Sequence, residues 1–156
     1  MYQKIMVPLD GSELAECVLA HVESIGKGCG VARVIFVRAI ETFSMPPGAE
    51  AHSIFSAADM PKINEAHRAE ARQYLDQVVR RVNLEGVSVQ TEVVTGRSAD
   101  ALADYATQQG VDLIVMATHG RSGAGRWFMG SVADRLIHAA CVPVLMVRPP
   151  ECVPEV

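Results

Sequence analysis

The sequence predicts an α/β fold: a single doubly wound domain, spanning residues 1–156, whose parallel sheet is covered by helices on both faces. Three observations carry this. Five apolar, strand-like runs alternate with segments of helical period along the chain, the pattern of successive β–α–β crossovers. The 156 residues are enough for one domain with a sizeable core. One apolar run, Leu113 to Met116, leads through a Gly-rich stretch into a helical pattern from Val132 to Ala140.

Each element has its own signal. Lys4 to Val7 reads as a short buried strand. Pro8-Leu9-Asp10-Gly11-Ser12 breaks it, and Ser12 is placed to cap the next helix. Leu14, Val18, Val22 and Ile25 recur at helical spacing and predict that helix's core face; Gly26 to Gly30 ends it. Val31 to Ala39 is a second strand. Residues 41–60 carry Pro46-Pro47-Gly48 and no clear period, and read as a long loop or insertion. Pro61 opens a helix with an apolar stripe at Ala71, Leu75, Val78, Val79 and Val82. Ser88 to Thr95 alternates as a third strand. Ser98 is the expected cap of a helix marked by Leu102, Tyr105 and Ala106. Leu113 to Ala117 is the fourth strand. Val132, Leu136, Ala139 and Ala140 mark the last helix, and Val144 to Val147 the fifth strand.

Composition excludes several functions. Hydrophobic residues make up 49% and charged residues 21%, a soluble globular balance. The formal net charge is −4 and the basic residues are scattered, so there is no field for nucleic acid. The apolar runs are far shorter than a membrane span, and no signal peptide is visible before the first strand; a cytoplasmic location is expected. Cys17, Cys29, Cys141 and Cys152 form no CxxC. They read as buried or incidental thiols, with a redox role for Cys29 or Cys152 as the alternative. His21, His52, His67 and His138 show no metal-ligand spacing.

The stretch from Ala117 to Ser131 carries the chemistry. A loop running from a strand to a helix N-terminus presents backbone N–H groups and the positive end of a helix dipole, which together hold anions. Gly120, Gly123, Gly125 and Gly130 let the backbone come close to a ligand, and Arg121 and Arg126 suit phosphate. Ser131 is the expected cap, with Asp134 completing a capping box. The alternative is a connecting loop with no ligand. Neither standard phosphate fingerprint is met: Arg126-Trp127 stands where a Walker A needs Lys-Ser/Thr, and Phe128 where a dinucleotide motif needs Gly. Trp127-Phe128-Met129 reads equally as a loop anchor or a partner contact.

The stretch resembles the signature of the universal stress protein family: Gly, two residues, Gly, nine residues, Gly-Ser/Thr, after the fourth strand. Gly120, the nine residues after it and Gly130-Ser131 match; Ala117 stands at the first glycine. The resemblance covers nearly the whole chain. It implies the strand order 3-2-1-4-5, with the switch point between strands one and four, where ligands of such sheets bind. It implies an adenine nucleotide, ATP or else AMP or ADP, with Mg²⁺. The binding set it implies is Pro8, Leu9 and Asp10 after strand one, Ala39 or Ile40 after strand two, then Ala117, His119, Gly120, Arg121, Gly123, Gly130, Ser131 and Val132. Asp10 suits ribose hydroxyls or a weakly or indirectly held Mg²⁺; its other reading is an Asx-turn in Asp-Gly-Ser. Ala117 adds one methyl beside the ribose and phosphates. The family also implies a homodimer, with the edge strand 144–147 paired across a two-fold axis.

No catalytic residue is assigned. His119 with Asp10 and Ser131 would need a nucleophile elbow, which Gly130-Ser131-Val132-Ala133 is not. His119 is expected to orient the loop by a hydrogen bond. The expected function is ATP binding without turnover, with nucleotide-dependent ordering of residues 120–130 and display of that surface to an unknown protein client. The rivals are a slow ATP hydrolase of the same architecture and a nucleotide-free dimeric interaction module.

Overall fold

The computed structural model describes residues 2–42, 59–118 and 130–149. Along them run β1 Lys4–Pro8, α1 Glu13–Glu16, α2 Leu19–Gly28, β2 Arg33–Ile40, α3 Met60–Arg81, β3 Ser88–Thr95, α4 Ser98–Gln108, β4 Leu113–Ala117, α5 Ser131–Ala139 and β5 Val144–Val147. The five strands form one parallel sheet in the order β3-β2-β1-β4-β5. β1 and β4 are therefore neighbours from which the chain departs toward opposite faces.

The strand period of two divides the core into two layers. Ile5, Val7, Val34, Phe36, Leu113 and Val115 face one side, where they cluster with Ala15, Val18 and Val22 and with Ala71, Leu75 and Val78 of α3. Met6, Ile35, Val37, Ile114 and Met116 face the other, with Leu102 and Ala106 of α4 and Ala133 and Leu136 of α5. Strands buried on both faces explain why β1 and β4 read as continuous apolar runs rather than alternating ones.

Several local expectations change. The first helix is split: Cys17 N–H donates to Leu14 O, a spacing of three, before the ladder resumes with Val22 N–H to Val18 O. The tightened turn buries Ala15, Val18 and Val22 and leaves Leu14 half-buried. Ser98 and Ser131 are not caps. Each is the first residue of its helix, after Arg97 and Gly130, and neither cap position makes a side-chain hydrogen bond. No capping box therefore forms at Ser131 and Asp134. Along α5 the buried residues are Ala133 and Leu136, while Val132 is 38% exposed and Ala139 is exposed. Bulk misled the pattern: the small Ala133 sits closest to the sheet, and the larger Val132 is turned outward. Cys29 and Cys141 are exposed rather than buried. Pro61 lies in the first turn of α3, as its fixed φ favours. Most of the 41–60 segment falls outside the described residues.

Candidate functional site

A cleft of about 230 Å³ opens at the carboxyl ends of β1 and β4. Pro8, Leu9 and Asp10 line it from the β1 side and Met116, Ala117 and Thr118 from the β4 side. Gly130, Ser131, Val132 and Ala133 close one end, and Val37 and Ala39 of β2 the other. Ser98 and Leu102 of α4 and Ala15 of α1 complete the walls. Most of this lining is apolar, and its polar side chains are Asp10, Ser98, Thr118 and Ser131.

The α5 end is a helix N-terminus. Asp134 N–H donates to Gly130 O, the first bond of the helix. The N–H groups of Ser131, Val132 and Ala133 precede it, where no intrahelical carbonyl reaches them. They open onto the cleft at the positive end of the helix. Gly130 is not among these donors. Its N–H already donates to Thr118 O at 2.9 Å. Its φ of −57° and ψ of 143° are open to any residue, so the backbone conformation does not itself require a glycine there.

The β2 end is polar in its backbone alone. The β1–β2 register stops at Pro8↔Val37, and Leu9 N–H donates to Val37 O at 2.9 Å. β2 continues beside β3 to Ile40↔Thr95. From Arg38 to Ile40, β2 therefore has a strand on one edge only among the described residues. Backbone groups of a parallel strand alternate between neighbours. Ala39 shares the orientation of Val37, so its N–H and C=O point to the side that β1 has left. Ile40 turns the other way: its carbonyl accepts from Gly96 N–H, and its side chain packs on the α3 face. Of the two candidates after strand two, Ala39 lines the cleft and Ile40 does not.

Asp10 sits between these ends. Its Oδ1 accepts from Ser12 N–H at 2.9 Å and Ser12 Oγ at 2.6 Å, and Ser12 Oγ accepts from Ala15 N–H at 3.2 Å. The Asx-turn is thus real, Ser12 caps α1 as expected, and Asp10 still lines the cleft. Ala117 also lines it, but strand alternation places its methyl with the apolar cluster on the α1 and α3 face. Among the described residues, no group of three or more His, Cys, Asp or Glu could hold a metal ion. His119, Gly120, Arg121 and Gly123 lie outside the described residues, as does all of 119–129. Sequence reasoning missed Val37, Ser98, Leu102 and Met116 as cleft residues. Apolar periods marked Val37, Leu102 and Met116 as core and a cap signal claimed Ser98, and the end of β1 at Pro8 turns them into walls.

Fold and cleft together define a doubly wound α/β protein with a cleft at its topological switch point. The chain belongs to the universal stress protein family, whose model matches residues 1–148. It is similar to Universal stress protein MJ0531 of Methanocaldococcus jannaschii, 31% identical over 152 residues, covering 97% of this chain and 85% of that one. Among solved structures it matches MJ0577 of the same organism with a TM-score of 0.78 at 29% identity, covering 95% and 96% of the two chains. The fold is shared with a universal stress protein in complex with cAMP (TM-score 0.60, 20% identity, 95% and 98% covered) and with an Arabidopsis thaliana family protein with AMP bound (0.60, 15%, 98% and 96%). No helix among the described residues is long and apolar enough to cross a membrane.

Proposed function

We propose that this protein binds an adenine nucleotide, ATP first, at the β1–β4 switch point and acts by binding rather than turnover. One observation carries the reading: a single apolar cleft has a backbone donor and acceptor on Ala39 at one end and the first-turn N–H groups of α5 at the other. Adenine carries a ring-nitrogen acceptor beside an amino donor, which complements one N–H and one C=O on the same strand edge. The phosphates lie against Ser131, Val132 and Ala133. AMP and cAMP in relatives of this fold support the ligand class. Asp10 faces the ribose. As the lone acidic side chain on the cleft wall among the described residues, it holds Mg²⁺ weakly, and the ion arrives on the phosphates. The same reading makes the protein a cytoplasmic homodimer joined through β5, working as a nucleotide-dependent stress-response module.

Mass analysis of small molecules released from the purified protein, followed by calorimetry with ATP, AMP and cAMP, tests this. An adenine nucleotide in the extract and a saturable ATP isotherm are expected. A protein that carries no nucleotide and gives no heat with any of the three is a nucleotide-free interaction module instead. Steady phosphate release during the titration would make it a hydrolase.

A further inference from the structure

Arg38 lies on β2 between Val37 and Ala39, and strand alternation directs it away from the cleft wall those two form. Its side chain is only 11% exposed. The guanidinium carbon stands 5.2 Å from the centre of the Tyr74 ring on α3, and Glu70 Oε1 lies 3.8 Å from Nη2. A third neighbour is Gly11. A Cβ built there would stand 3.4 Å from Cζ, Nη1 and Nη2 alike. Equal distances to three atoms of one plane place that point over the guanidinium face, so the group faces the bare Cα of Gly11 across the space a side chain would fill. Gly11 has φ +87°, a conformation that side chains resist. It is the middle of the turn whose first residue, Asp10, lines the cleft and whose last, Ser12, caps α1.

A planar, weakly hydrated cation can pack its face on backbone and an aromatic ring at once; an ammonium cannot. We propose that Arg38 is a positioning residue for the cleft: set face-on to Gly11 and packed against Tyr74, it fixes the Asp10–Ser12 turn, and with it the Asp10 carboxylate, without touching the ligand. The inference rests on the nucleotide-binding reading above. Nothing in the sequence marks this arginine, because it sits inside an apolar strand where its contacts are all long-range.

The test is a double-mutant cycle. ATP is titrated into the parent, Arg38→Met, Asp10→Ala and the double variant, with ligand-free melting recorded for each. Arg38→Met should bind ATP about five- to tenfold more weakly than the parent, within the range of coupled neighbours. It should add nothing on the Asp10→Ala background, because its effect runs through Asp10. Loss of packing alone would lower the melting temperature without that coupling. Arg38→Gln, which keeps a planar group, should retain more affinity than Arg38→Lys, and this comparison also serves if Arg38→Met fails to fold. Unchanged affinity in Arg38→Met, a full additive loss in the double variant, or Lys matching the parent overturns the proposal. A parent that binds no nucleotide overturns the functional reading itself, a separate result from a binding parent indifferent to Arg38.

Discussion

The carbonyl of Thr118 and the N–H of Gly130 meet at 2.9 Å, pinning the end of β4 to the start of α5. Thr118 also donates its own N–H to Val147 O at 2.8 Å, so one residue ties the cleft rim to the edge strand. Gly130 is thereby held as the residue from which α5 springs. The donors it delivers are those of the next three residues.

Ser131→Pro tests those donors. Proline lacks an N–H but is favoured at the first position of a helix. Gly130 already holds the extended conformation that a residue before proline prefers. The melting temperature should stay near the parent's, while ATP affinity falls by about 1.5–3 kcal/mol, one hydrogen bond to a charged group. Ser131→Ala keeps the N–H and should lose less. Calorimetry finding equal affinity in Ser131→Pro and the parent would put the phosphates elsewhere.

Gly130→Val asks whether space matters there. Because φ is −57°, valine meets no backbone strain and the fold should survive. A side chain beside the phosphate path should abolish ATP binding. Parent-like binding would show that the cleft does not need a bare Cα at this point.

Asp10 has two tasks that separate by substitution. Asp10→Ala removes the acceptor of both Ser12 bonds, so stability should fall by about 1 kcal/mol, the scale of a lost cap. ATP binding should weaken by about 1–2 kcal/mol as well. Asp10→Asn keeps a carbonyl oxygen for Ser12 and should melt like the parent, while still losing the carboxylate toward ribose and any Mg²⁺. If Asp10→Asn binds ATP and Mg²⁺ as the parent does, the carboxylate serves the turn alone.

Tyr74 makes a pH prediction. Its hydroxyl oxygen is buried beside the Glu16 carboxylate. Burial, then the neighbouring Glu16 carboxylate and, less, the charge of Asp10, raise the phenol above its usual 10; Arg38 opposes them. A raised value means the neutral phenol stabilises the fold in full below pH 10, and that contribution is lost as pH climbs toward the folded-state value. Thermal melts should therefore fall above pH 10 in the parent and fall less in Tyr74→Phe. Parallel pH curves for the two proteins would contradict this.

The sheet was readable because β–α alternation is written in local periods: β3, β4 and β5 fall on the residues the pattern marks. Caps were read less well. Ser12 meets its partner three residues on, whereas Ser131 yields to Gly130 because Thr118, far back along the chain, sets where α5 begins. The site was legible at Asp10, Ser131 and Val132, which sit beside turn signals. It was not legible at Leu102 or Met116, whose role depends on which strand stops short. Choosing Ala39 over Ile40 needed the β1–β2 register, which no single stretch of sequence contains.

The edge strand supplies the last prediction. Among the described residues β5 pairs with β4 on one side only, and its other edge has no strand beside it. Leu145 is 39% exposed, while Met146 packs partly against the α4 and α5 layer. A second copy pairing along this edge would cover Leu145 and satisfy the backbone together. Leu145→Lys should then convert a dimer to a folded monomer, with little effect on the fold because the side chain already meets solvent. Met146→Lys would confuse the two effects by disturbing the layer beneath. Light scattering at micromolar concentration decides it: a dimeric parent and a monomeric Leu145→Lys with parent-like circular dichroism are expected. A monomeric parent, or a variant that remains dimeric, would remove β5 from the interface.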